Sequence, residues 1–151
     1  MLSGPCWDGG ITIVNNLDID IYLRSDYTSN GRLQILRANG TCYHETWRPT
    51  ANRTGVSIKV AAHPDLLNVL QFEYSAIPPM VWWDVSCIDL HGDPAIVDAG
   101  FAVTPTTSGS CLPVVCRAGE HRCPDVYYKP DDDFAVRTCS VDIWLTMEIG
   151  I

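Results

Sequence analysis

The sequence is poor in basic residues and contains no long apolar run. Ten lysine and arginine side chains stand against 18 aspartate and glutamate side chains, so the formal net charge is −8. A chain of this charge with no basic stripe does not neutralise nucleic acid phosphates or favour an anionic membrane surface. No apolar run approaches the roughly 20 residues that a transmembrane helix needs. We therefore expect no nucleic acid partner and no membrane association.

The spacings of a structural zinc site are also missing. There is no Cys-x2-Cys pair and no histidine pair at zinc-finger spacing. Yet seven cysteines occur in 151 residues, which is high for a cytosolic protein and typical of an oxidising compartment. The N-terminus lacks the basic and apolar segments of a signal peptide. We therefore expect the sequence to be the mature part of a secreted protein, without a metal or other cofactor.

Two N-glycosylation sequons agree with secretion. They are Asn39-Gly40-Thr41 and Asn52-Arg53-Thr54, and an acceptor asparagine of this kind has to lie in a surface loop. A three-residue sequon is weak evidence alone. Together with the cysteine count, the two sequons indicate an extracellular glycoprotein.

Short segments of alternating apolar residues recur along the chain with turn residues between them. They predict strands over 11–14, 19–23, 33–36, 41–47, 56–60, 70–74, 101–103 and 141–149. Residues 65–70 also fit the start of a helix. The rhythm predicts one all-β domain over residues 1–151, an antiparallel β-sandwich with an irregular segment at 1–10. Cysteines and prolines replace periodicity between residues 111 and 133, so we expect disulfides to hold that region.

The segment from Trp82 to Asp89 is central to the chain. Trp83, Val85 and Cys87 alternate with polar positions, which is the period of a half-buried strand. Asp84 then lies on the outer face. Asp89 is an odd number of residues away, so the strand has to end or bulge near Ile88 if both carboxylates serve one site.

These residues carry a resemblance to a known family. The run Trp83-Asp84-x-Ser86-x-x-Asp89 resembles the central strand of thaumatin-like proteins. Further matches are Asn15-Asn16 after the first strand, Cys111-x4-Cys116, and the segment from Cys123-Pro124-Asp125 to Asp131-Asp132-Asp133. The chain is most similar to the short fungal members, the antigenic yeast-phase thaumatin-like proteins. The family implies an extracellular or cell-wall protein.

The resemblance also implies the disulfide pairing. Transferred from the family, the bridges are Cys111–Cys139 and Cys116–Cys123, while the pairing of Cys6, Cys42 and Cys87 stays open. Only six residues separate Cys116 from Cys123. The large cysteine-rich second lobe of longer family members is therefore expected to be absent.

Thaumatin-like proteins carry an acidic cleft, and its members can be transferred by motif. Glu73, Asp84, Asp89 and Asp132 resemble the acidic residues, and Lys59 stands where the family has arginine. If Trp82 lies beside Asp84, its indole can stack on a sugar ring. The resemblance implies carbohydrate binding, with β-1,3-glucan as the leading ligand, by a monomer without strong catalysis. If the protein is instead a weak glucanase, Glu73 and Asp84 are the catalytic candidates, with Glu73 as the protonated acid.

Other interpretations remain open. Aspartates near turns often bind backbone N–H groups, and the two indoles can simply pack. Asp84, Asp89, His91 and Asp93 cluster in sequence as oxygen-rich metal ligands would, although no EF-hand pattern is present. Ser86 lacks a nucleophile elbow. A secreted antigen or effector that binds a host or competitor protein is the alternative from another class, and a small-molecule enzyme is a third.

Overall fold

The computed structural model describes residues 9–50, 55–91, 94–106, 111–130, 132 and 134–151. These residues form eleven strands and one short helix. In chain order they are β1 Gly10–Asn15, β2 Ile21–Asp26, β3 Gln34–Leu36, β4 Thr41–Thr46, β5 Val56–Ala61, β6 Leu70–Ile77, β7 Met80–Ser86, α1 Ala95–Ala99, β8 Phe101–Pro105, β9 Val114–Cys116, β10 Arg137–Ser140 and β11 Trp144–Ile149. Within this part of the chain, no helix has the length and apolar character needed to cross a membrane.

The strands build two sheets. The five-stranded sheet has the order β4-β1-β11-β8-β9, and the six-stranded sheet has the order β10-β7-β6-β5-β2-β3. Neighbouring strands are antiparallel except β1 and β11, which run parallel. This arrangement is the predicted all-β sandwich.

The core lies between the sheets and follows from the alternation in the sequence. Inward-facing apolar residues of β5, β6 and β7 are almost fully buried, while the residues between them face outwards. Four aromatic rings in contact, those of Trp47, Phe72, Tyr74 and Trp83, form part of this core. Burial of large aromatic side chains is a major source of stability. The outward positions of the same strands are therefore fixed as a polar surface.

A buried glutamate links one sheet to the other. Glu45 on β4 has a side chain that is only 8% exposed. Its carboxylate accepts hydrogen bonds from the hydroxyls of Ser25, Tyr43 and Tyr74. Ser25 and Tyr74 belong to the six-stranded sheet. Because a buried charge needs such partners, this cluster fixes the position of β4 against β2 and β6.

The structure corrects several predicted boundaries. The last strand begins at Trp144, and residues 141 and 142 form a turn closed by a hydrogen bond from Ile143 N–H to Ser140 O. Val141 is buried nonetheless, which extends the apolar alternation beyond the strand. Residues 65–69 are not helical, and Leu66 has a φ of 54°. Within residues 19–23 the strand starts only at Ile21.

Three elements gave no usable sequence signal. Helix α1 has five residues and no side-chain cap at its N-terminus, so neither periodicity nor capping predicts it. Strand β9 has three residues inside the region expected to lack periodicity. Strand β10 pairs along one side with β7 and was not predicted either. Because these elements are short, their pairing with neighbours defines them.

Both predicted disulfides are present, Cys111–Cys139 and Cys116–Cys123. Cys42 is an exposed thiol, and Cys87 is a buried one. Burial raises the pKa of Cys87 to about 12, as suits an unreactive core thiol. Cys6 lies outside the described residues.

Candidate functional site

Two carboxyl side chains face each other on the outer surface of the six-stranded sheet. Glu73 on β6 is directly opposite Asp84 on β7 in the antiparallel register. Both are half-buried and line a pocket of about 340 Å³. The rest of the pocket is formed by Gly55, Val56, Ser57, Tyr74, Ser75, Trp82, Trp83 and Val136. Directly opposed like charges destabilise a strand pair, so this arrangement favours a shared proton.

The environment determines which carboxyl group holds that proton. Burial, the neighbouring Glu73 charge and a hydrogen bond to Glu73 raise the pKa of Asp84 to about 7. Burial also raises the pKa of Glu73, and Asp89 adds to the shift. The hydrogen bond from Asp84 and the positive charge of Lys59 oppose it. We therefore assign the proton to Asp84, whereas the sequence led us to expect it on Glu73.

One oxygen of this pair has no partner. Asp84 Oδ1 is buried and accepts no hydrogen bond from the residues that the structure describes. A buried polar atom of this kind costs roughly 1–3 kcal/mol if nothing satisfies it.

An apolar wall closes one side of the pocket. Trp82 is opposite Ser75 on β6 and Thr138 on β10, and its side chain is 38% exposed. Val136, immediately before β10, is 50% exposed and lines the same pocket. An exposed indole beside polar groups is an amphipathic contact surface. Trp82 and Asp84 line the same pocket.

Lys59 is held by an ion pair that the sequence did not reveal. Its Nζ lies 3.0 Å from Asp26 Oδ2 and donates to Ser57 Oγ at 3.2 Å. Arg24 also binds Asp26, through Nε at 2.8 Å. Guanidinium and ammonium donors bonded to Asp26 lower its pKa against the opposing effect of burial. The only feature of the sequence that indicated this ion pair is the alternation along β2, which places Arg24 and Asp26 on its outer face.

Asp89 joins the same surface because the strand ends before it. Strand β7 stops at Ser86, and Ser86 Oγ accepts a hydrogen bond from Ile88 N–H. The carboxylate of Asp89 then accepts a hydrogen bond of 2.9 Å from Gln71 Nε2. Gln71 in turn accepts a hydrogen bond from Ser57 Oγ. The expected end of the strand near Ile88 is therefore confirmed, and Gln71 is a site residue that sequence reasoning missed.

Asp132 occupies a different place. Its carboxylate accepts hydrogen bonds of 3.1 Å from the backbone N–H groups of Tyr128 and Lys129. It lines a separate pocket of about 530 Å³ with His121 and Arg122. The structure thus places Glu73, Asp84 and Trp82 in one pocket and brings Lys59 and Asp89 within electrostatic reach of Glu73. Asp132 lies elsewhere and stabilises a turn.

The remaining candidates concern metal binding and glycosylation. Across the described part of the chain, no group of three or more histidine, cysteine, aspartate or glutamate side chains is placed to hold a metal ion. Asp93 and Asn52 lie outside the described residues, as do Asp131 and Asp133. Asn39 is exposed in the turn between β3 and β4.

Comparisons with known proteins agree with the fold and identify the family. The model of the Blastomyces yeast-phase-specific protein family matches residues 9–149. The secreted thaumatin-like protein calA of Emericella nidulans is 38% identical over 94% of this chain and 81% of its own length. An antigenic thaumatin-like protein of Arthroderma benhamiae is 37% identical, over 87% of this chain and 65% of its own length.

Two solved structures share the fold at low identity. The protein elicitor MoHrip2 from Magnaporthe oryzae superposes with a TM-score of 0.75 at 20% identity, covering 95% of this chain and 99% of its own. The thaumatin-like xylanase inhibitor TLXI superposes with a TM-score of 0.56 at 10% identity, covering 91% and 97%. Family match, relatives and fold agree. The chain is a secreted, disulfide-bonded protein of the Blastomyces yeast-phase-specific family, with fungal thaumatin-like proteins as its relatives.

Proposed function

We propose that this protein binds carbohydrate, with β-1,3-glucan as the first candidate, through the pocket between Glu73, Asp84 and Trp82. The observation that carries the proposal is the exposed indole of Trp82 in the same pocket as the half-buried carboxyl pair of Glu73 and Asp84. A sugar ring combines an apolar face with hydroxyl groups at its edge. The pocket presents a matching apolar wall and matching hydrogen-bonding groups.

The charge state of the pair suits a neutral polyol. In mildly acidic solution Asp84 is protonated, because its pKa is raised to about 7. Its hydroxyl donates to Glu73 in the hydrogen bond between the two groups, and the charged Glu73 carboxylate keeps lone pairs that can accept from ligand hydroxyls. Hydrogen bonds to charged groups contribute more than those between neutral groups, roughly 1.5–3 kcal/mol. A sugar ring that stacks on Trp82 can donate its edge hydroxyls to this carboxylate.

The same geometry favours binding over turnover. The hydrogen bond between Glu73 and Asp84 holds the two carboxyl groups in contact. Glycoside hydrolases separate their carboxyl groups by roughly 5–9.5 Å to admit a sugar carbon or a water. Lys59 is already bound to Asp26 and provides no bidentate guanidinium. A weak endo-β-1,3-glucanase is therefore the second choice for this pocket.

The experiment is a pull-down with insoluble β-1,3-glucan at pH 5. Trp82→Ala and the double variant Glu73→Gln/Asp84→Asn should each lose about tenfold or more in affinity, corresponding to roughly 1.4 kcal/mol. Glu148→Gln is the matched control, because Glu148 is a carboxylate on the outer face of the other sheet. Unchanged binding by both pocket variants would exclude the pocket as the glucan site.

Catalysis is tested separately by the release of reducing sugar from laminarin. We expect no product above that of a heat-inactivated sample. Turnover that disappears in Glu73→Gln would replace the binding proposal with the glucanase alternative.

A protein partner is the second candidate function, and one observation favours it. Phe134 is 60% exposed and Val136 is 50% exposed, and Val136 borders the pocket. Exposed apolar groups of this kind occur at protein interfaces. The names of the relatives include an antigenic protein, and those of the structures an elicitor and a xylanase inhibitor. This function would be supported by two results together. The wild type would not bind glucan, and a protein that binds the wild type would not bind Phe134→Ser.

A further inference from the structure

The turn between β3 and β4 presents an asparagine whose backbone shapes the turn and whose side chain is exposed. Asn39 has a φ of 66°, and Gly40 has a φ of 107°. The backbone fixes this turn: Asn39 N–H donates to Leu17 O at 2.8 Å, and Gly40 N–H donates to Asn15 O at 2.6 Å. Asparagine is among the few residues that adopt a positive φ readily. The main chain is therefore well defined while the side chain is exposed.

Asn15 provides a contrast within the same structure. Its side chain is fully buried, and its amide donates to the carbonyl oxygens of Ile19 and Leu36. Among the described residues, no hydrogen bond uses the side chain of Asn39 or the hydroxyl of Thr41. Both are exposed. The fold thus uses Asn15 as a structural amide and leaves the amide of Asn39 accessible.

We propose that Asn39 carries an N-linked glycan. It is the first residue of the sequon Asn39-Gly40-Thr41, and the chain is a secreted protein of a fungal family. The co-reactant is an oligosaccharide linked to a lipid pyrophosphate. Asn39 Nδ2 forms a bond to the anomeric carbon of the first sugar and loses one proton. The bond from that carbon to the phosphate oxygen breaks, and the lipid pyrophosphate leaves.

The glycan is placed away from the carboxyl pocket. Leu36, just before the turn, is opposite Ile21 at the start of β2. The pocket residue Glu73 is opposite Ser57 on β5, and Ser57 is opposite Asp26 on β2. Asp26 lies at the other end of β2 from Ile21. Five residues of strand span about 17 Å. The attachment point of the glycan is therefore remote from the pocket.

It lies instead beside an exposed sheet edge. Strand β4 is the outermost strand of its sheet and starts at Thr41, two residues after Asn39. The strand carries the exposed thiol of Cys42. Exposed edge strands promote association between chains. A glycan at Asn39 would lie at the start of this edge strand.

The test is secretion of the full chain from a eukaryotic host, followed by peptide mass spectrometry before and after amidase release of N-glycans. The wild type and Thr41→Ser, which keeps the sequon hydroxyl, should carry a glycan on Asn39. Asn39→Asp and Thr41→Val should carry none there. Asn39→Asp tolerates the positive φ, so it separates loss of the glycan from loss of the fold. Mapping by peptide distinguishes Asn39 from Asn52.

The result that overturns the proposal is an unmodified Asn39 peptide in the secreted wild type. Glucan affinity is measured on the same samples. We expect Asn39→Asp to keep the wild-type affinity, within about twofold, since the turn is remote from the pocket. A tenfold change would contradict this placement of the glycan. Failure of glucan binding in every sample, with Asn39 occupied, would refute the proposed function and leave the glycosylation proposal intact.

Discussion

Replacing Asp84 with asparagine should remove a pH dependence from the stability of this protein. Asp84 lies in a half-buried position directly opposite Glu73. Asparagine has nearly the same shape, stays neutral at every pH and can donate its amide hydrogen to Glu73. The substitution therefore removes the proton from the pair and preserves the hydrogen bond.

The size of the effect follows from the pKa of Asp84. Its ordinary value is 3.8, and burial beside Glu73 raises it to about 7. Between these two pH values the folded chain keeps a proton that the unfolded chain has released. The free energy of unfolding therefore falls as pH rises through this window and is level above it. At about 1.4 kcal/mol for each pKa unit, the fall amounts to at most about 4 kcal/mol.

The assay is urea unfolding followed by tryptophan fluorescence, with the disulfides intact, at intervals from pH 4 to pH 8. The variant should match the wild type near pH 4 and become the more stable protein above pH 7. Because Asp20 and Asp26 have lowered pKa values, they add an opposite slope in acid, so the difference between the two proteins is the informative quantity. Glu148→Gln should follow the wild-type curve. Parallel curves for Asp84→Asn and the wild type would refute the assignment of the proton to Asp84.

Two further predictions concern other parts of the fold. Tyr74→Phe should lower the free energy of unfolding by about 1–3 kcal/mol in urea titrations, because it removes a hydroxyl donor from the buried Glu45 carboxylate. An unchanged unfolding midpoint would show that this link between the sheets is dispensable. Native protein treated with iodoacetamide at pH 8 should be alkylated at the exposed Cys42 and not at Cys87, whose pKa is raised to about 12 by burial. Peptide mapping that found equal modification of both thiols would contradict the described core.

The comparison of Asp132 with Asp84 explains why motif transfer alone was insufficient for the pocket. Both aspartates match positions of the family's acidic cleft. Asp84 is on a central strand, where the register fixes its neighbour as Glu73. Asp132 is in a turn, and its carboxylate is engaged by two backbone N–H groups of that turn. A strand position predicts a neighbour, whereas a turn position leaves the side chain free to bind its own backbone.

The sequence by itself determined which faces of the central strands are buried. Apolar alternation over β5, β6 and β7 requires Lys59, Glu73 and Asp84 to face outwards, because a strand has a period of two. The cysteine spacing together with the family resemblance also predicted both bridges of the Cys111–Cys139 region. These features depend on local periodicity or on a conspicuous motif, and both can be read from one chain.

Only the tertiary structure decided how distant residues meet. Asp26 is 33 positions from Lys59, and only the pairing of β2 with β5 brings them together. The short strands β9 and β10 exist because β8 and β7 provide partners for them. The position of the proton on Asp84 depends on burial and on the unequal distribution of charge around the pair. Strand order, burial and electrostatics arise from the assembled sheets, so no local pattern in the sequence contains them.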